Sequence, residues 1–180
     1  MRRLISIALV ASIALTAGAC RRKKKPAVKV ELTDEGSANS QLLSILSVAD
    51  PKGTPQLVKG FYNLEDNQWR WTMAKFTVTL RPPAGAAQKG ATLVLKFAIP
   101  DPVIAKVKST TLSATVSGTA TQPQTFTKAG EYVYTRDVPA SALGGDAVTV
   151  EFTLDKFLAP TDSDRRELGI VATSVGLEPK

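Results

Sequence analysis

Val148-Thr149-Val150-Glu151-Phe152-Thr153-Leu154 alternates apolar and polar side chains over seven residues. This is the period-2 pattern of a strand that turns one face to a core and the other to solvent. The pattern recurs at Phe76, Val78 and Leu80, at Leu93, Leu95 and Phe97, at Leu112, Ala114 and Val116, and at Val171, Thr173, Val175 and Leu177. Tyr132 to Val138 supplies another run rich in β-formers. The spacers carry turn chemistry: Pro82-Pro83-Ala84-Gly85, Pro100-Asp101-Pro102, Ala129-Gly130, Gly144-Gly145-Asp146 and Pro160-Thr161-Asp162. Seven or so strands with no sustained helical period imply an all-β chain. The expected architecture is an antiparallel β-sandwich, specifically a jelly roll, over residues 56–180.

Upstream the pattern weakens. Val28, Val30 and Leu32 alternate briefly, Asp34 to Gln41 is polar, and Leu42-Leu43-Ser44-Ile45-Leu46 is apolar. Residues 20–55 are therefore read as a linker holding a helical turn or an early strand. The first residues have the three-part form of an export signal: Arg2 and Arg3, a 16-residue apolar run from Leu4 to Ala19, then Cys20. Ser6, Ser12, Thr16 and Gly18 dilute that run below what a spanning helix needs.

Leu15-Thr16-Ala17-Gly18-Ala19-Cys20 resembles the bacterial lipobox, in which small residues precede a cysteine that is acylated and becomes the first residue of the mature chain. This implies a signal peptide at 1–19, a lipidated Cys20, and membrane attachment through the N-terminal lipid. Ala17-Gly18-Ala19 also fits ordinary cleavage that leaves a free thiol. The five charges from Arg21 to Lys25 oppose translocation of that flank, so an uncleaved anchor stays open as well. Arg21, after the cysteine, is not the Asp that resembles an inner-membrane retention signal. Outer-membrane sorting is the expectation.

Charge and composition exclude more than they assign. The chain has 23 basic and 16 acidic residues, no His and one Cys. Once the signal and the Arg21–Lys25 block are set aside, 16 basic residues balance 16 acidic ones from Pro26 onward. The net +7 thus describes an arm rather than a nucleic-acid-binding surface. Imidazole catalysis, a His-based zinc site and an internal disulfide are all unavailable. Gly144-Gly145-Asp146 lacks the helix and lysine of a phosphate loop. Asp162, Asp164 and Glu167 match no defined calcium loop. No catalytic residue, cofactor or metal is expected.

Two segments stand out. Gly60-Phe61-Tyr62-Asn63-Leu64-Glu65-Asp66-Asn67-Gln68-Trp69-Arg70-Trp71-Thr72 holds both tryptophans, a tyrosine, an arginine and a glutamate. Asp164-Arg165-Arg166-Glu167-Leu168-Gly169 leads into the last strand. A glycine-aromatic-aromatic start, a glutamate and an Arg-Trp-Thr strand entry, with a late Asp-x-Arg-x-Leu-Gly, resemble the jelly-roll accessory domains, similar to carbohydrate-binding modules, found beside bacterial glycosyltransferases and surface-polysaccharide proteins. The likeness covers about Lys59 to Glu178. It implies a non-catalytic domain that binds a glycan or assists polysaccharide assembly.

Sugars are held by aromatic faces stacked on the pyranose ring and by carboxylates and planar donors reading hydroxyls. Tyr62, Glu65, Trp69, Arg70, Arg165 and Arg166 are residues of these types and are the candidate binding set. The alternation in Trp69-Arg70-Trp71 puts both indoles on one face and Arg70 on the other. An alternative stays open for the same residues: tryptophans plugging the sandwich, and Glu65 with an arginine closing it as an ion pair. A structural or adaptor lipoprotein that binds another envelope protein is the corresponding functional alternative.

Overall fold

A computed structural model describes residues 42–180. The expected signal peptide, Cys20 and the basic block lie outside the described residues. The elements are β1 (Ile45–Ser47), β2 (Leu57–Glu65), β3 (Trp69–Leu80), α1 (Ala86–Lys89), β4 (Ala91–Ile99), α2 (Asp101–Val107), β5 (Thr110–Val116), β6 (Thr119–Ala120), β7 (Gln124–Phe126), β8 (Gly130–Val138), β9 (Val148–Leu154) and β10 (Val171–Pro179). Every strand pairing is antiparallel.

One layer runs β1-β10-β4-β8. The other runs β2-β3-β9-β5, with β6 and β7 sharing the far edge of β5. The layers join where β10 crosses onto the start of β3, at Val171 opposite Trp71 and Ala172 opposite Arg70. Apart from β2, successive strands alternate between layers except at the hairpin from β5 to β6 and β7. That is the strand order of a jelly roll, which hides most strand edges within two facing sheets. The β-sandwich expected from the alternating runs is therefore the observed fold.

The alternation sets the core. Phe76, Val78 and Leu80 of β3, Leu93, Leu95 and Phe97 of β4, Leu112, Ala114 and Val116 of β5, and Val148, Val150, Phe152 and Leu154 of β9 are all buried. Phe76 stacks on Phe152 at 4.8 Å between centroids and meets Phe61 edge-on at 5.4 Å. Such pairs add to the area they bury.

The sandwich begins before residue 56. Leu46 and Val48 are core residues, β1 pairs with β10, and a 3-10 helix over Pro51–Gln56 follows. The buried Gln56 side chain donates to the carbonyls of Leu43 and Thr79 and accepts from the Leu43 N–H. The linker expected over 20–55 thus ends early, and the helical turn and early strand expected as alternatives within it are both present; three strand residues flanked by turns show too little of any period to mark where the sandwich starts. The turns at Pro82–Gly85 and Pro100–Pro102 each lead into a short helix, α1 and α2.

β2 escapes the alternation test for a physical reason. It pairs with β3 through three irregularities in register, so its side chains do not strictly alternate between faces. Gly60 sits at one of them with φ +78. A Cβ there would lie 2.7 Å from the Phe76 Cα and against the Lys75 carbonyl, so only glycine lets β2 cross β3 this closely.

Candidate functional site

The two segments singled out in the sequence meet at the seam between the layers. β2 and β3 form a hairpin in which Glu65 pairs with Trp69 across the loop Asp66-Asn67-Gln68. Asp66 and Asn67 both take left-handed backbone (φ 49 and 56), which these residue types tolerate better than most. The chain after β9 returns alongside this hairpin. Thr72, fully buried, donates its N–H to the Ile170 carbonyl at 2.9 Å, accepts the Gly169 N–H on its carbonyl at 2.7 Å, and accepts the Ile170 N–H on Oγ1 at 3.2 Å. Gly169 allows that contact, since a Cβ there would stand 2.9 Å from both the Met73 carbonyl and Thr72 Oγ1.

Arg166 is the centre of the arrangement. Its Nη1 donates to Glu65 Oε1 at 2.7 Å, and its Nε and Nη2 fork onto Asp164 at 3.0–3.3 Å. Its guanidinium lies 5.6 Å from the Tyr62 ring centroid. Hydrogen bonds from the Arg166 side chain and backbone hold the Asp164 carboxyl below the ordinary aspartate range. The same two carboxylates raise the Arg166 pKa further. The Tyr62 hydroxyl accepts the Glu167 N–H at 3.0 Å, and Glu167 Oε1 accepts the Ala74 N–H at 2.6 Å.

Arg70 faces the other way from the tryptophans. Its Nε donates to the Val48 carbonyl at 2.9 Å and its Nη1 to the Tyr62 carbonyl at 3.1 Å, tying the end of β1 to β2. Arg165 is apart from the rest: its side chain is 82% exposed and reaches only the exposed Asp162, at 3.6 Å. Of the candidate set, Tyr62, Glu65 and Arg166 thus converge, Arg70 is committed to backbone carbonyls, and Arg165 stands in solvent. Asp162, Asp164 and Glu167 do not converge on a common point. Among the described residues no acidic cluster is arranged to hold a metal.

Trp69 and Trp71 line an open trench of about 740 Å³ on the outer side of the seam. Its floor is a row of cross-strand neighbours: Trp71 of β3, Val171 of β10, Ala98 of β4 and Glu131 of β8. Glu65, Asn67 and Gln68 stand along the tryptophan end. A second recess of about 390 Å³ shares Ala98, Glu131 and Thr173 with the trench and continues to Lys96, Tyr132 and Val133. Ala98, Glu131 and Val171 lie outside both segments that stand out in the sequence. Nothing local marks them, because the row exists only once four strands far apart in the chain have paired.

No family model matches the chain, and no curated protein matches it. Among solved structures it is similar to the CBM36-1 domain of a multidomain xylanase from the hindgut metagenome of Trinervitermes trinervoides. The two share 10% identity over 76% of this chain and 96% of that one, with a TM-score of 0.42.

Proposed function

We propose that this protein is a non-catalytic, glycan-binding jelly roll, lipid-anchored at Cys20 in the cell envelope, that holds a sugar chain in the Trp69–Trp71 trench. The observation that carries the reading is the pairing of two partly exposed indoles on one face with a carboxylate and two amide side chains beside them. An indole face stacks on the apolar side of a pyranose, while Glu65, Asn67 and Gln68 supply acceptors and donors for hydroxyls. Glu65 is steadied by Arg166, so it meets a ligand already oriented. The absence of His from the chain and the commitment of Glu65 to Arg166 support binding rather than catalysis.

Retention on envelope polysaccharides, read together with tryptophan fluorescence, tests this. Trp69→Ala is expected to abolish retention while the domain stays folded, at a cost in stability below the roughly 3–5 kcal/mol of a fully buried tryptophan, since the side chain is only partly buried. Iodide should quench native emission, and glycan should protect it. Emission that neither iodide nor any glycan alters would overturn the reading.

Ile45 and Val133, 52% and 57% exposed on the layer that carries the trench floor, favour a second reading in which an envelope protein docks there. A partner crosslinked through Val133 in intact envelopes, and lost in Val133→Asp, would support it.

A further inference from the structure

We infer that the ligand is an uncharged glycan chain several sugars long, laid across the strands from the tryptophans over Ala98 to Glu131. This deepens the glycan-binding reading above and rests on it. Three features of the molecule carry it.

The first is the row itself. Trp71, Val171, Ala98 and Glu131 are successive neighbours across four strands, so the floor spans three inter-strand gaps, roughly 14 Å at the usual spacing. A single sugar ring stacked on one indole would leave most of that length empty.

The second is the sizes of the side chains along the row. Val171 and Ala98 are small and lie between larger side chains, Trp69 and Trp71 on one side and Glu131 on the other. The low middle joins the trench to the second recess through Ala98, Glu131 and Thr173, so a chain can continue past the Glu131 end.

The third is charge. Glu65 and Glu131 line the trench and no Lys or Arg does. Glu65 shares Arg166 with Asp164, whereas Glu131 has no ion partner among the described residues. An anionic chain lying here would be brought against an unpaired carboxylate, which opposes binding. Hydroxyls, by contrast, are donors that both acids accept. Lys96 lies only in the second recess, with Glu131 lining it too, and so gives an anion no uncompensated cationic patch.

The test is calorimetric titration of the full-length protein in detergent with size ladders of cello-, manno- and β-1,3-gluco-oligosaccharides and N-acetylglucosamine oligomers, each from the disaccharide upward. Oligogalacturonates are the acidic counterparts. Affinity is expected to climb with chain length until the row is filled. Ala98→Phe, which places a ring on the outer face of β4 without entering the core, should cost about tenfold for long chains and leave the shortest binder unchanged. Glu131→Gln should narrow the gap between neutral and acidic chains.

Trp69→Ala separates the two readings. If it abolishes binding while affinity is independent of length and Ala98→Phe has no effect, the cross-strand placement is overturned and the glycan reading stands. Tighter binding of oligogalacturonates than of neutral chains overturns the assignment of charge. If no ladder binds at all, both readings fall.

Discussion

Arg166 shows how one side chain serves both fold and site. Its fork reaches Asp164 two residues away and Glu65 on the far hairpin, and its face is turned toward Tyr62. A lysine has one point charge and no fork, so Arg166→Lys should fail to replace it. With the participants about 38% exposed, Arg166→Ala is expected to lower stability by only about 1 kcal/mol, readable as a small fall in denaturant midpoint. Glycan affinity should fall with it, because Glu65 loses its orientation. The pH dependence follows from the direction of the Asp164 shift. A carboxyl held below its ordinary value contributes fully above about pH 3.9, its unfolded value, and loses that contribution as pH falls through the lower folded value. Acid denaturation of the native chain should therefore steepen below about pH 4, and Asp164→Asn should flatten that limb. An unchanged acid limb in Asp164→Asn would show that the pair does not link folding to protons.

At the scale of elements, what could be read from the sequence divides along a physical line. β3, β4, β5, β8, β9 and β10 were legible because each has one face in the core, so burial writes itself into the chain every second residue. β1 is too short to show a period, and β2 is broken by its irregular register, so neither left that trace. The density of aromatic and charged residues in 60–72 marked the hairpin as special, and Asp164–Gly169 was marked likewise. Their contact across about a hundred residues of chain was beyond any local pattern. The trench floor was invisible for the same reason: Ala98 and Val171 are ordinary strand residues until β10 pairs with both β3 and β4. Gly60 is where the hairpin is most vulnerable. Gly60→Ala asks the chain to hold φ +78 with a Cβ against the backbone of Lys75 and Phe76. A loss of at least about 2 kcal/mol is expected in equilibrium unfolding, because both the strain and the displaced strand add. A neutral Gly60→Ala would mean that β2 can lift from β3 at little cost, and the Trp69 wall of the trench with it.

For the whole molecule, the charge distribution and the fold assign different jobs to different parts of the chain. The balanced charge from Pro26 onward leaves the sandwich no general attraction to an anionic surface, so the proposed membrane attachment rests on the N-terminal residues alone. There the proposed lipid and the five charges of Arg21 to Lys25 act in different ways. Acyl chains bind by buried methylenes, roughly 0.8 kcal/mol each, and are indifferent to salt. Basic residues near anionic headgroups contribute about 1 kcal/mol each and are screened by salt. The proposed anchor therefore makes a prediction that separates the two. The native protein should stay with membranes through a high-salt wash and incorporate labelled fatty acid. Cys20→Ala should take up no label, and whatever fraction still associates should be released by salt. Replacing Arg21 to Lys25 with glutamines should leave labelling and sedimentation unchanged. If instead Cys20→Ala remains in the membrane after salt and resists extraction at alkaline pH, the apolar run from Leu4 to Ala19 is an uncleaved anchor. The sandwich would then be held by a protein span rather than by lipid.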